Sequence, residues 1–142
     1  SESAAGYTTN GVKAVWIESV PWKTTCIHGD LHIGNIITTG EKNYWIDLSA
    51  FGYGNPLFDL GMFYFVCHCA SEEMTNRLFH VNNAQMHEIW KIFVSEYFGP
   101  QAKLAEVDEK IKPFAALMMV FYSAWGQTHE LMEPLLHETI LK

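Results

Sequence analysis

Along the chain, hydrophobic positions change their period near the middle of the first half. Between Thr24 and Asp47 they come as short β-branched or aromatic runs separated by polar turn residues, whereas beyond Pro56 they recur at steps of three and four. The first kind of spacing predicts strands and the second predicts helices. Residues 1–11 are rich in Ser, Thr, Gly and Asn and read as a flexible lead, and residues 12–20 are apolar but of uncertain type, ending at Pro21. Residues 24–27 predict a short buried strand.

The segment "NIITTGEKNYWID" predicts a β-hairpin around a turn cluster at residues 39–43. A five-residue loop would pair Thr38 with Tyr44, Ile37 with Trp45 and Ile36 with Ile46. Continued by one step, that register sets Asn35 opposite Asp47, with Cβ atoms roughly 4.5–5.5 Å apart. "LSAFGYGNP" then reads as a loop, and Asn55 followed by Pro56 reads as a helix cap and first helical position, opening a helix over 56–70.

Met86, Ile89, Trp90, Phe93, Val94, Tyr97 and Phe98 form an apolar stripe that predicts a helix capped at Asn82 or Asn83 and stopped by Gly99 and Pro100. A short helix follows over 104–111, Pro113 opens a long apolar helix broken near Gly126, and an amphipathic stretch covers 131–141. A small β portion followed by four or five helices defines an α+β chain, organised as one domain over 1–142 without internal repeats.

Composition narrows the setting. Hydrophobic residues make up 49% of 142, ample for a packed core, and no run nears the roughly 18 apolar residues of a membrane span. A net charge of −7, with nine Lys and Arg, argues against a nucleic-acid partner and suits a cationic small molecule better. The expected setting is soluble and cytoplasmic. Cys26, Cys67 and Cys69 are an odd set without zinc spacing, expected to be reduced and buried. "GYGNPL" lacks the third glycine of a dinucleotide loop and carries no weight for that reading.

Chemistry concentrates in "CIHGDLHIGNII", residues 26–37. His28, Asp30 and His32 could ligate a metal directly, as in a metallohydrolase, although His68, His80 and His87 read as helical and lack ligand spacing. Alternatively, Asp30 could accept a proton while Asn35 and Asp47 offer oxygen ligands to magnesium, the apparatus of phosphoryl transfer. The residues alone leave both open.

"HGDLHIGNI", followed after the hairpin by "WIDLSAFGYGNPLFDLG", resembles the C-terminal lobe of the aminoglycoside phosphotransferase and choline kinase-like family. The shared pattern is H-G-D-x-x-x-x-N, a strand ending in I-D, a G-x-P turn and D-L, over residues 28–61. The resemblance implies a protein-kinase-like C-terminal lobe, mainly helical with a small catalytic β-hairpin, and transfer of phosphate from ATP or GTP to a small-molecule hydroxyl with Mg2+.

It further implies that Asp30 is the catalytic base and His28 the catalytic-loop histidine, acting by packing and hydrogen bonding. Asn35 and Asp47 become magnesium ligands, and Asp59 braces the loop. His32 lies near nucleotide or acceptor, or faces solvent. The acceptor pocket falls to the C-terminal helices, where Trp90, Tyr122, Trp125, Glu130 and Glu133 offer aromatic faces and acidic groups to a cationic acceptor.

Only 27 residues precede His28, and Lys13 and Lys23, the lysines among them, sit in no recognisable lysine-bearing strand. The expectation is therefore a C-terminal lobe whose N-terminal nucleotide lobe is absent, inactive alone. The alternative is a non-catalytic kinase-like binding or regulatory domain.

Overall fold

The computed structural model describes residues 24–124. The lead, the segment 12–20, the break near Gly126, the stretch 131–141, and Trp125, Glu130 and Glu133 lie outside the described residues. Within them the architecture is α+β and mostly helical. Two small antiparallel sheets come first, β1 (Thr25–Ile27) with β4 (Gly52–Gly54) and β2 (Ile36–Thr38) with β3 (Asn43–Trp45). Four helices follow, α1 (Leu57–His68), α2 (Glu72–Phe79), α3 (Asn83–Phe98) and α4 (Leu104–Ala124).

The hairpin exists, but its register differs from the expected one by a single position. Ile36 pairs with Trp45, Ile37 with Tyr44 and Thr38 with Asn43. The connection is four residues long because Thr39 N–H donates to the Lys42 carbonyl at 3.0 Å, while Gly40 N–H donates to the Thr38 hydroxyl at 3.2 Å. Gly40 sits at φ +88°, where a side chain would be strained. This tight closure draws Asn43 into the ladder. Asn35 therefore faces Ile46, whose N–H donates to the Asn35 carbonyl at 3.0 Å, and not Asp47.

The segment read as a loop after Asp47 contains a 3-10 turn, Leu48–Ala50, and strand β4. Gly54 makes the pairing with β1 possible, since a Cβ there would press on the Ile27 side chain. Cys26, expected to be buried, is exposed in β1, while Cys67 is buried in α1.

Asn55 starts α1 as its spacing predicts, with Oδ1 accepting from Leu57 N–H at 3.0 Å. The helix ends at His68, two residues short of the expected end. Its residues from Leu60 to Cys67 are all buried, so α1 is wrapped on every side, with α4 and α3 as its main helical neighbours. Gly61 allows the closest approach, because a Cβ would meet the Phe114 backbone at 2.6 Å.

Helix α2 was not expected from periodicity, being only eight residues long. Its local signals are Ser71, whose Oγ accepts from Met74 N–H at 3.2 Å, and the acidic pair Glu72 and Glu73 in the first turn. It ends at His80, which takes a left-handed conformation (φ 57°) and so leaves the helix. Helix α3 carries a reciprocal capping box, Asn82 with Gln85, at 2.9 Å in both directions. Met86, Trp90 and Val94 are buried, whereas Tyr97 is 55% exposed, so the apolar stripe is not core throughout.

Helix α4 runs unbroken through Pro113, where two helices were expected. An interior proline costs about 3 kcal/mol in lost hydrogen bonding and ring crowding. Ile111, Phe114, Ala115 and Met119 are buried on either side of it. At about 1.5–3 kcal/mol for each large apolar side chain buried, that continuous face outweighs the proline.

Candidate active site

Strand β1 delivers the chain into the loop that begins at His28, and the loop is tied down from three directions. Asp59, in the first turn of α1, accepts from His28 N–H through Oδ2 at 2.7 Å and from Gly29 N–H through Oδ1 at 2.8 Å. A carboxylate using both oxygens on backbone donors is a strong brace, since each charge-assisted bond contributes about 1.5–3 kcal/mol. Gly29 lies at φ +84°, and a Cβ would collide with the Ala50 carbonyl. Only glycine lets the loop lie against the Leu48–Ala50 turn.

His28 is buried and uses both ring nitrogens on the backbone. Nε2 donates to the Ile46 carbonyl at 3.0 Å, and Nδ1 accepts from Asp30 N–H at 3.3 Å. That pair of partners requires the tautomer with its proton on Nε2. The ring also packs against Trp45 at 5.6 Å. His28 thus links the Asp30 loop to Ile46, which follows β3 and precedes Asp47. Both nitrogens are thus engaged by the backbone, and among the described residues no cluster of three His, Cys, Asp or Glu could hold a metal.

Asn35 is buried at the end of the 3-10 turn Ile33–Asn35. Its Nδ2 donates to the Asp30 carbonyl at 2.9 Å and to Asp30 Oδ2 at 3.3 Å. The amide nitrogen is thus turned toward Asp30 and the amide oxygen away from these two contacts. Asp47 follows Ile46, the residue bonded to Asn35, and adopts a left-handed conformation (φ 54°, ψ 62°). Its carboxylate is exposed and Oδ1 accepts from the Ser49 hydroxyl at 2.8 Å. Asn35 and Asp47 each carry a side-chain oxygen of the type magnesium takes, and Asp47 lies one residue beyond the residue that Asn35 faces.

His32 caps the 3-10 turn, its Nδ1 accepting from Gly34 N–H at 3.1 Å and its Nε2 lying 3.5 Å from Asp30 Oδ2. It faces Asp30, not open solvent. Trp90 leaves the acceptor-pocket reading, because it is fully buried and its indole N–H donates to Asp108 Oδ1 at 2.8 Å.

A cavity of about 560 Å³ lies against the same loop, walled by Ile27, Trp45, Leu48, Phe51, Phe93 and Tyr97. His28, Leu31 and Asp59 line it on the side of the loop. No sequence signal announced it, since its walls come from β1, β3, the Leu48–Ala50 turn and α3. Gly29 and the Ile46 carbonyl were also missed as parts of the site. The glycine between His28 and Asp30 was the available clue, because a glycine beside polar loop residues marks a backbone conformation that other residues resist.

Away from the loop, burial pushes the Cys67 thiol up to about 12, with Cys69 beside it adding to the effect, and burial pushes Cys69 up to about 12 as well. These are inert core thiols.

The model of the phosphotransferase enzyme family matches residues 3–92, which takes in the whole of this loop, the hairpin, the brace and α1. No curated protein and no solved structure matches the chain.

Proposed function

The chain belongs to the phosphotransferase enzyme family, and from that premise we propose that it carries the catalytic-loop and acceptor-side portion of a small-molecule kinase. The donor is ATP or GTP and the acceptor an alcohol, with cationic alcohols favoured by the chain's net charge of −7. One observation carries the reading. Asp30 sits in a loop braced by both oxygens of Asp59 and is bonded to the side chain of Asn35, which stands beside the hairpin that leads to Asp47.

In this reading Asp30 accepts the proton of the acceptor hydroxyl as that oxygen bonds to the γ-phosphorus and the nucleoside diphosphate leaves. Asn35 and Asp47 would hold magnesium, which when bound neutralises charge on the transferring phosphate. His28 and Asp59 keep the loop's shape and exchange no proton with substrate. The clamp on the nucleotide, a phosphate-covering loop and a paired lysine, is assigned to a lobe outside these 142 residues, and a nucleotide-using enzyme of this kind belongs in the cytoplasm. Among the described residues no helix is long and apolar enough to cross a membrane.

The test is a panel of amino alcohols, aminoglycosides among them, assayed with ATP and with GTP, for the chain alone and joined to its nucleotide lobe. Phosphorylation by the joined protein that Asp30→Asn lowers by about 10²-fold or more supports the proposal. Magnesium-nucleotide binding without turnover across the panel would instead favour a non-catalytic binding domain.

A further inference from the structure

We propose that the cavity beside the loop that begins at His28 is the seat of residues 12–20 of this same chain, and that this segment braces the loop. Two of the cavity's walls are ordered by ring packing. Trp45 packs on the His28 ring at 5.6 Å, and Phe93 and Tyr97 stack on each other at 5.3 Å. Yet Trp45, Leu48, Phe51 and Tyr97, all of which line the cavity, are each 52–55% exposed. Apolar surface gathered around one cavity of about 560 Å³ marks a place where something apolar docks.

Three observations name the occupant. Val12, Ala14, Val15, Trp16, Ile17 and Val20 make the segment mostly apolar. Thr25, Cys26 and Ile27 of β1 line the cavity, and only residues 21–24 separate β1 from the segment. The chain from Val20 to Thr25 reaches at most about 17 Å, so the segment stays close to the walls and acts as a tethered ligand at millimolar effective concentration. The family match over residues 3–92 takes in the segment together with β1, the loop and the hairpin, and leaves out the other apolar stretch, residues 131–141. Helix α4, which leads toward that stretch, contributes no wall to the cavity among the described residues.

The seat has a consequence for the loop because His28 and Asp59 line the same cavity. Asp59 holds the His28 and Gly29 N–H groups at 2.7 and 2.8 Å. An apolar segment seated there excludes water from these bonds, and hydrogen bonds to a carboxylate strengthen as the surroundings become less polar. The segment thereby raises the cost of opening the loop.

The 142-residue chain tests this without any turnover, so the proposal and the phosphotransferase reading fail separately. In an isotope-labelled sample, side-chain protons of Trp16 and Ile17 should show nuclear Overhauser contacts to the rings of Trp45, Phe51 or Tyr97. Absence of such contacts overturns the proposal, as does their replacement by contacts from residues 131–141. Mixing labelled with unlabelled chain separates a further occupant, because contacts seen only between chains assign the cavity to a second copy and also overturn it. Trp16→Asp should speed amide exchange at His28 and Gly29 by about tenfold or more with the buried centre of α1 unchanged, and Trp16→Leu should restore most of the protection. Equal exchange at His28 and Gly29 with and without Trp16→Asp overturns the bracing role. If Trp16→Asp unfolds the chain, the contacts in the unaltered chain decide alone.

Discussion

The loop region, residues 28–59, and the helical region, residues 60–124, are built by opposite means. In the first, every residue of β2 and β3 is exposed, Trp45 at 52%, and position is set by a handful of directional bonds from Asp59, His28 and Asn35. In the second, α1 is enclosed by apolar side chains and Trp90, Met86 and Met119 are wholly buried. Directional bonds place a carboxylate to within fractions of an ångström but contribute modestly each. Area burial stabilises strongly but specifies little chemistry. Substitutions in the two regions should therefore separate into effects on rate and effects on stability.

The largest expected effect is on rate. In the proposed kinase, assayed with a nucleotide lobe joined to the chain, Asp30→Asn should lower phosphorylation by about 10²- to 10⁴-fold while nucleotide affinity survives. Asp47→Asn should weaken magnesium-nucleotide binding as well as the chemical step. A magnesium titration of both activity and nucleotide affinity separates them, and identical responses would refute the two roles.

On the other side of the comparison, Trp90→Ala should destabilise the fold by about 3–5 kcal/mol in urea unfolding, since it leaves a large cavity and strands the Asp108 carboxylate. A loss below about 1 kcal/mol would mean that the core repacks freely.

Asp59→Ala tests the seam, because its carboxylate belongs to the first helix and its partners to the loop. Removing the acceptor of two backbone N–H groups should cost about 3 kcal/mol and lower activity in the same variant. Loss of activity without loss of stability would show that the brace orients the loop but does not help hold the fold.

The smallest effect sharpens the contrast from within the helices. His68, at the end of α1, is stacked between Tyr64 at 4.3 Å and His87 at 4.7 Å, and its buried Nε2 has no hydrogen-bond partner. Burial, with His87 and Lys112 nearby, pushes its pKa down from 6.5 to about 4. The unfolded chain takes up a proton that the folded chain resists. This contribution to stability is therefore complete above about pH 6.5 and is lost progressively as pH falls through about 4. Unfolding free energies measured across that window should fall less steeply in His68→Leu, and parallel profiles would remove His68 as the cause.

Much of this was legible in the residues because it depends on near neighbours. Asn55 ahead of Pro56 and the asparagines at 82 and 83 announced helix starts, and in the structure Asn55 and Asn82 satisfy donors of the next turn. The five-residue interval from Asp30 to Asn35 places both side chains on one small loop. What local reading missed depends on partners far along the chain. Pro113 reads as a helix break until α1 offers a continuous apolar face to cover. Gly52, Tyr53 and Gly54 read as loop until β1 needs an antiparallel neighbour.

The sequence by itself determined the polar composition of the loop, the helix caps and the family pattern, because these rest on spacings of a few residues. Tertiary structure decided the hairpin register, which bonds within residues 39–42 shifted by one. It also brought Asp59 from 30 positions away to Gly29 and seated His32 against Phe79. Such choices are made by packing and hydrogen-bond geometry among residues distant in the chain, where local spacing has no influence.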